Sequence, residues 1–334
     1  MNLQIYPWQQ SQWDRLETAF ANNRLPHALL LAGPGGLGLE HFAQCLVARW
    51  LCLDSVAHTA CGQCRSCQLF IVGNHPDINR VEPEEPGKQI KVDTVRELLH
   101  FIQLSSQFDR GKMVIIAPAE AMNRSSANSL LKTLEEPPGG SFFILVSHQP
   151  AFLPVTIRSR CQRLDFAPTH SDSALQWLGE SLSIDKSKAA DILTLSHGRP
   201  LLATSLVEND VVSKQSQVLS DLAKLDSSSA DMSGTAQRWH DLGANEVFEW
   251  LQTFFASMAR LKITGLQPLQ AESALVRDLQ RLANRLDLQA LMRGYELAFQ
   301  NYRAVTGPYN LNHLGLIEEF IVYWQSITGS KGGN

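Results

Sequence analysis

Four of the chain's six cysteines fall within sixteen residues: Cys52, then Cys61, Cys64 and Cys67 in the run CGQCRSC. Closely spaced thiolates suit a tetrahedral metal, because soft sulfur ligands favour zinc and each C-x-x-C step brings two ligands together with little chain to order. Zinc is the expected metal. An iron–sulfur cluster and metal-free thiols are the alternatives, although the C-x3-C-P continuation of a bacterial ferredoxin run is missing. Four protein ligands leave no open position on the metal, so the expected role is structural. Cys45 and Cys161 stand apart and are expected to pack as small apolar residues.

A second group lies just upstream. The segment HALLLAGPGGLGLEHF, from His27 to Phe42, places Gly33, Gly35, Gly36 and Gly38 where a phosphate-binding loop has its glycines. A working loop reads G-x-x-x-x-G-K-[ST]: backbone N–H groups cradle phosphates, the lysine neutralises charge and the hydroxyl binds magnesium. Here those last two positions are Leu39 and Glu40. Leucine brings no charge, and a glutamate at the magnesium position repels triphosphate. The apolar run Met113–Ala117, which in a phosphate-loop ATPase leads into acidic residues for magnesium and water, ends in Ala117-Pro118. ATP is not expected at this chain's own site.

These groups need elements to hold them. His27–Ala32 reads as a strand feeding the glycine turn, and Ala43, Leu46, Val47 and Trp50 follow at helical spacing, with Cys52 at the helix end. The other cysteines fall in the connection to a strand at Ile78–Val81. The Thr94–Glu97 spacing of a capping box predicts a helix over about 93–104. Met113–Ala117 and Phe142–Ser147 are continuous apolar runs suited to parallel strands covered on both faces. Ala127, Leu130, Leu131 and Leu134 define a helix that Pro137-Pro138 ends. Glu135 and Glu136 close it against the macrodipole and read first as two solvated acids, with a partner elsewhere as the alternative. A last strand is expected near Leu164–Phe166. Beyond Pro168 the pattern is helical, interrupted by a serine-rich turn at Asp226–Thr235. Two wide stripes, Val247 to Met258 and Leu288, Leu291, Met292, Tyr295 and Phe299, read as core.

At 334 residues the chain is long enough for two or three domains, and 44% hydrophobic residues indicate a globular protein. A formal charge of -4 gives no electrostatic case for autonomous binding of nucleic acid or anionic lipid. The N-terminus lacks the pattern of a secretory signal and no apolar run reaches bilayer length, so the cytoplasm is the expected location.

Together the segments HALLLAGPGGLG, Cys52–Cys67, NHPD (Asn74–Asp77), NSLLKTLEEPP (Asn128–Pro138) and LPVTIRSRC (Leu153–Cys161) resemble the clamp-loader branch of the AAA+ family, as found in bacterial DNA polymerase III. The resemblance covers most of the first 210 residues. It implies an α/β AAA+ module over 1–167 with the cysteine insertion at about 52–67, a helical lid over 168–209, and an all-α collar over 210–334. It also implies a ring of five with gamma/tau-type ATPase and delta-type subunits, acting on a sliding clamp and primer-template DNA. In such rings an arginine of an SRC motif reaches the ATP of the next subunit; here that motif is Ser159-Arg160-Cys161. Arginine can stabilise charge developing in phosphoryl transfer in this way. Arg158 is the better candidate for an ordinary surface arginine. By the same resemblance the lysine, hydroxyl and acidic pair of an active subunit fall on Leu39, Glu40 and Ala117-Pro118, and the lid arginine on Leu201, with Arg199 nearby. The implied protein has no catalysis of its own and contributes to ATP hydrolysis in trans within a polymerase holoenzyme. Two rivals stand: an active AAA+ motor subunit, and a zinc-dependent nucleic-acid-binding module with Arg65 and Phe70 as readers.

Overall fold

The computed structural model of the chain describes residues 3–22, 24–54, 59–85, 87–208, 211–225, 231–264, 274–307 and 311–328. Five strands, β1 (Ala28–Ala32), β2 (Ile78–Val81), β3 (Met113–Ile116), β4 (Phe142–Ser147) and β5 (Gln162–Asp165), form one sheet in the order β2-β3-β4-β1-β5. Every pairing is parallel. Parallel strands need crossovers, and these carry helices to both faces of the sheet. The helices of this part are α1 (Gln10–Ala21), α2 (Leu39–Leu51), α3 (Arg65–Ile71), α4 (Val92–Phe101), α5 (Arg124–Glu135), the single turn α6 (Val155–Arg158) and α7 (Asp172–Leu182).

Strand β1 shows why its sequence is apolar throughout. Leu29 and Leu31 point into a core with Trp13 and Leu16 of α1 and Phe42, Leu46 and Trp50 of α2. Ala28, Leu30 and Ala32 point the other way, onto Val95 and Leu98 of α4 and Ala127, Leu130 and Leu134 of α5. The period of two sends alternate residues to opposite faces, and both are covered.

Sequence and structure part company at some ends. Helix α4 starts at Val92, with Lys91 as an N-cap that makes no side-chain hydrogen bond, so Thr94 lies inside the first turn and caps nothing. The reason is tertiary: Ile90 is tied down by its N–H to Ala121 O and its carbonyl to Asn123 N, which sets the entry to the helix early. Strand β5 occupies Gln162–Asp165, earlier than expected, because it pairs with Leu29–Ala32 of β1. Helix α5 ends at Glu135 before the proline pair, and Asn123 caps its start by accepting from Ser126 N.

The chain divides into two compact units, Met1–Trp177 with Gly198–Leu202, and Leu178–His197 with Ala203–Asn334. The second is helical: the end of α7, then α8 (Lys186–Leu195), α9 (Pro200–Glu208), α10 (Val211–Lys224), α11 (Met232–Leu242), α12 (Ala244–Thr264), α13 (Ala274–Arg285), α14 (Leu288–Thr306) and α15 (His313–Thr328). Of the serine-rich turn expected over Asp226–Thr235, residues 226–230 lie outside the described residues, while Asp231 caps α11 and Met232–Thr235 form its first turn. Val247, Trp250, Leu251, Phe254, Phe255 and Met258 of α12 are buried, as their spacing predicts. The stripe on α14 is a correction. Leu288, Met292, Tyr295 and Phe299 are 36–53% exposed, and only Leu291 of that set is buried. The inward face is instead Leu291, Gly294, Ala298 and Asn301, since small residues let α14 approach α12 closely. A Cβ on Gly294 would lie 2.3 Å from the Phe255 ring. Among the described residues no helix is long and apolar enough to cross a membrane.

Gly294→Leu should therefore destabilise the helical unit by about 1–3 kcal/mol or more through overpacking against Phe255. A thermal melt in which this variant matches the parent would show that the two helices can separate at no cost.

Candidate functional site

The glycine turn joins β1 to α2, and its carbonyls are held from several sides. Gly33 O faces His148 Nδ1 at 3.3 Å, and Gly36 O accepts from Leu201 N at 3.0 Å. Leu37 O accepts from Trp8 Nε1 and Gln9 Nε2, and Gly38 O from Gln9 Nε2. Gly38 has a left-handed φ of 80°, and the Tyr6 ring occupies the space a Cβ would take. Tyr6 stacks on Trp8 with ring centroids 4.8 Å apart, and Trp177 packs edge-on against both. The loop is thus folded and braced by its own chain.

Leu39 and Glu40, the two residues after the glycine turn, differ in direction. Leu39 is fully buried in the core with Phe42. Glu40 reaches His148, with Oε1 2.6 Å from Nε2. For both ring nitrogens of His148 to donate, one to the Glu40 carboxylate and one to the Gly33 carbonyl, the ring must be an imidazolium. In agreement, the hydrogen bond that His148 donates to Glu40 holds the histidine pKa above its ordinary value, against the effect of burial. Burial would raise Glu40, but its bonds to His148 outweigh this and lower it. His148 directly follows β4, so the ion pair spans the carboxyl ends of neighbouring strands, where open α/β sheets bind their ligands. Sequence reasoning missed His148; its position one residue beyond an apolar strand was the available signal. It also missed Glu120, which follows Ala117-Pro118 by two residues. Glu120 Oε1 accepts from the His148 and Gln149 amides. Its Oε2 is buried with no hydrogen-bond partner among the described residues.

Arg160 lies at the other end of the sheet. It precedes β5, whose Gln162 sits beside Leu29 and whose Asp165 sits beside Ala32, while the glycine turn begins at Gly33. The strand between them spans about 13 Å at 3.3 Å per residue. Arg160 Nε donates to Glu135 Oε1 at 2.7 Å, Nη2 donates to the same oxygen, and Nη1 donates to Thr156 O at 2.8 Å. The helix-terminal carboxylate of Glu135 thus has a cationic partner. Phe152 and Val155, close by in the chain, are 75% and 68% exposed. Arg158 is not a freely solvated arginine: its Nε is buried with no hydrogen-bond partner among the described residues.

The four clustered cysteines meet at the end of α2. Their Sγ atoms all lie within 4.8 Å of one another, with Cys52–Cys64 and Cys61–Cys67 at 4.0 Å. A tetrahedron with metal–sulfur bonds of about 2.3 Å has edges of about 3.8 Å, so the donor set fits a zinc-sized ion. Backbone amides already point at the sulfurs: Cys61 N to Cys52 Sγ at 3.3 Å, Cys64 N to Cys61 Sγ at 3.3 Å and Cys67 N to Cys64 Sγ at 3.4 Å. Burial pushes the Cys52 and Cys67 thiols up. At Cys64 burial acts the same way, but the Cys67 and Leu53 amides and neighbouring thiols outweigh it and bring the pKa down to about 6. Cys45 and Cys161, by contrast, are buried and pushed up to about 12 by desolvation. Phe70, a candidate base-stacking residue, is buried with Arg80 over its ring, so its face is not open to a nucleotide.

The NHPD segment supports this centre. Asp77 is fully buried and accepts from Ser106 Oγ, the Gln107 and Phe108 amides and Lys112 Nζ. Burial would raise its pKa, but these donors lower it. His75 Nδ1 accepts from Asp77 N, which leaves Nε2–H to donate to Ser66 Oγ, and Ser66 donates in turn to Leu51 O. This relay links the cysteine loop to the sheet.

Comparison with known proteins agrees with this architecture. The family model described as DNA polymerase III, delta subunit matches residues 8–170, and that described as DNA polymerase III, delta subunit, C terminal matches residues 209–326. DNA polymerase III subunit delta' of Pseudomonas aeruginosa is 34% identical over 97% of this chain and 98% of its own length. The subunit of that name from Escherichia coli is 34% identical over 61% of each chain. DNA polymerase III subunit tau/gamma of Haemophilus influenzae is 32% identical over 64% of this chain and 33% of its own length. With a helical second unit in addition to the sheet and a match over nearly its whole length, the chain belongs to the DNA polymerase III subunit delta' family.

Proposed function

We propose that this chain is an ATP-silent clamp-loader subunit that presents Arg160 in trans to the ATP of an adjoining gamma/tau-type subunit. The carrying observation is the separation of its two chemical groups. The loop that would hold a phosphate and the arginine that would stabilise one lie at opposite ends of the same parallel strands. Arg160 therefore cannot serve its own loop, whereas an arginine at an exposed edge can serve a neighbour's nucleotide.

The loop's own chemistry supports silence. Leu39 is committed to the core, and Glu40 and His148 neutralise each other where magnesium and phosphate would need opposite groups. The AAA+ module over 1–167, the lid over 168–209 and the collar over 210–334 belong to the same reading, as do a five-membered ring with delta-type subunits, the sliding clamp and primed DNA. The exposed apolar residues of α14 support a collar role, since contiguous apolar surface of this kind marks a contact site. The cysteines would hold a structural zinc: four thiolates close its coordination shell, and its contribution is to fix the loop after α2.

Three outcomes test this reading. In a complex reconstituted with gamma/tau-type and delta subunits, Arg160→Ala should retain nucleotide binding and lower hydrolysis at the facing site by a factor on the order of 10³. Unchanged clamp- and DNA-stimulated hydrolysis would rule out the finger. The purified chain should carry about one zinc by elemental analysis, and chelation should lower its melting temperature; bound iron with visible absorbance would point instead to a cluster. The Glu40–His148 pair sets a pH window. The raised histidine contributes stability that is full below its ordinary pKa of 6.5 and is lost as pH rises through the native value. The lowered glutamate contributes stability that is lost as pH falls through its own native value. His148→Ala should therefore melt below the parent at about pH 6 and converge with it in alkaline buffer; a pH-independent gap would mean the pair carries no charge-dependent stability.

A further inference from the structure

We infer that Glu135 is the positioning residue for Arg160, holding the guanidinium so that its remaining N–H groups face outward for a phosphate on a neighbouring subunit. This rests on the trans-finger reading above and names a second residue on which that finger depends. A guanidinium has five N–H groups. Three are engaged here: Nε–H and one Nη2–H by Glu135 Oε1, and one Nη1–H by Thr156 O. One N–H on each terminal nitrogen is left for an incoming anion. The contact from Nη1 to Ser159 Oγ, at 3.5 Å, is too long to compete.

Both anchors sit on parts of the fold that cannot easily move. Glu135 is the last residue of α5, next to Leu134, which is buried in the core. The Leu134 carbonyl accepts from His27 Nε2 at 2.7 Å, just before β1, which pins the end of α5 to the end of the sheet that carries Arg160. Thr156 lies in α6 beside the fully buried Ile157. Nothing about α5 itself calls for a carboxylate there, because a negative charge at a helix C-terminus opposes the macrodipole. What the carboxylate gains is Arg160. A long arginine held at both sides loses little rotamer freedom on meeting a phosphate, and its approach direction is already set. The pair is part-exposed, at 30% for Arg160 and 49% for Glu135, so solvent screens it and a strong anion can share the guanidinium without breaking a buried ion pair.

The test uses the reconstituted complex with clamp and primed DNA, comparing the parent with Arg160→Ala, Glu135→Ala, Glu135→Gln and the double variant Arg160→Ala/Glu135→Ala. Glu135→Ala should lower kcat for stimulated ATP hydrolysis at the facing site by about tenfold to a hundredfold, the scale of a misplaced catalytic group. KM for ATP should change by less than about twofold, since the neighbour's own loop binds the nucleotide. Glu135→Gln, which keeps an acceptor for Nε–H, should recover most of the loss. The double variant should match Arg160→Ala alone. A further drop in the double variant, or no recovery by glutamine, would assign Glu135 a merely structural role and overturn the inference. So would unchanged or faster hydrolysis by Glu135→Ala while Arg160→Ala is impaired; faster hydrolysis would mean that Glu135 restrains the finger. If Arg160→Ala itself leaves hydrolysis unchanged, the trans-finger reading falls and takes this inference with it.

Discussion

Strand β1 is hydrogen-bonded in parallel to β4 on one side and β5 on the other, and the placement of every chemically informative residue follows from that register. Parallel strands share their carboxyl ends. The glycine turn after β1 and His148 after β4 are therefore neighbours, while Arg160, which leads into β5, is carried to the far end. The same rule sends α2 and α5 back along the sheet, so that Cys52 and Glu135, at their C-termini, also arrive at the end opposite the loop. The pairing is stable because all five residues of β1 are buried, with alternate side chains filling separate cores on the two faces.

A loop built to hold phosphates exposes its backbone amides to an anion, and without one it needs other support. Here the support is internal. His148 carries a positive charge into the loop region, binds the Gly33 carbonyl and is neutralised by Glu40. Trp8 and Gln9 hold the Leu37 and Gly38 carbonyls from the other side. Glu40, at the position where a phosphate loop carries its hydroxyl, is thus part of what keeps the loop in shape, and the glycine turn serves as a structural joint between β1 and α2.

The cysteine centre and the NHPD segment form a second joint with different chemistry. Asp77 is buried with Lys112, and such a pair is tolerated only because the carboxylate also receives two amides and a hydroxyl. Through His75 and Ser66 that network reaches the end of α2, where Cys52 begins the thiolate set. A metal bound by the four sulfurs would close the remaining freedom of the insertion, consistent with a part that shapes a surface and carries out no bond-making step.

Much of this was legible from residue types alone. Continuous apolar runs mark β1, β3 and β4 because a strand covered on both faces cannot alternate, and the C-x-x-C steps mark a metal-sized cluster because their spacing is local. Leu39 and Glu40 likewise declare a loop without its cation and hydroxyl. What pattern could not supply were pairings between segments distant in the chain. Glu40 finds His148 across 108 positions and Glu135 finds Arg160 across 25, and neither partner is implied by local periodicity. On α14 the apolar spacing of Leu288, Met292, Tyr295 and Phe299 pointed inward, yet Gly294 and Ala298 took that face because close packing on Phe255 favours the small residues. Composition and spacing set which groups are present and which chemistry is missing. The folded chain decided which charges meet and which apolar residues stay outside, because long-range contacts depend on strand register and helix approach, which no local window contains.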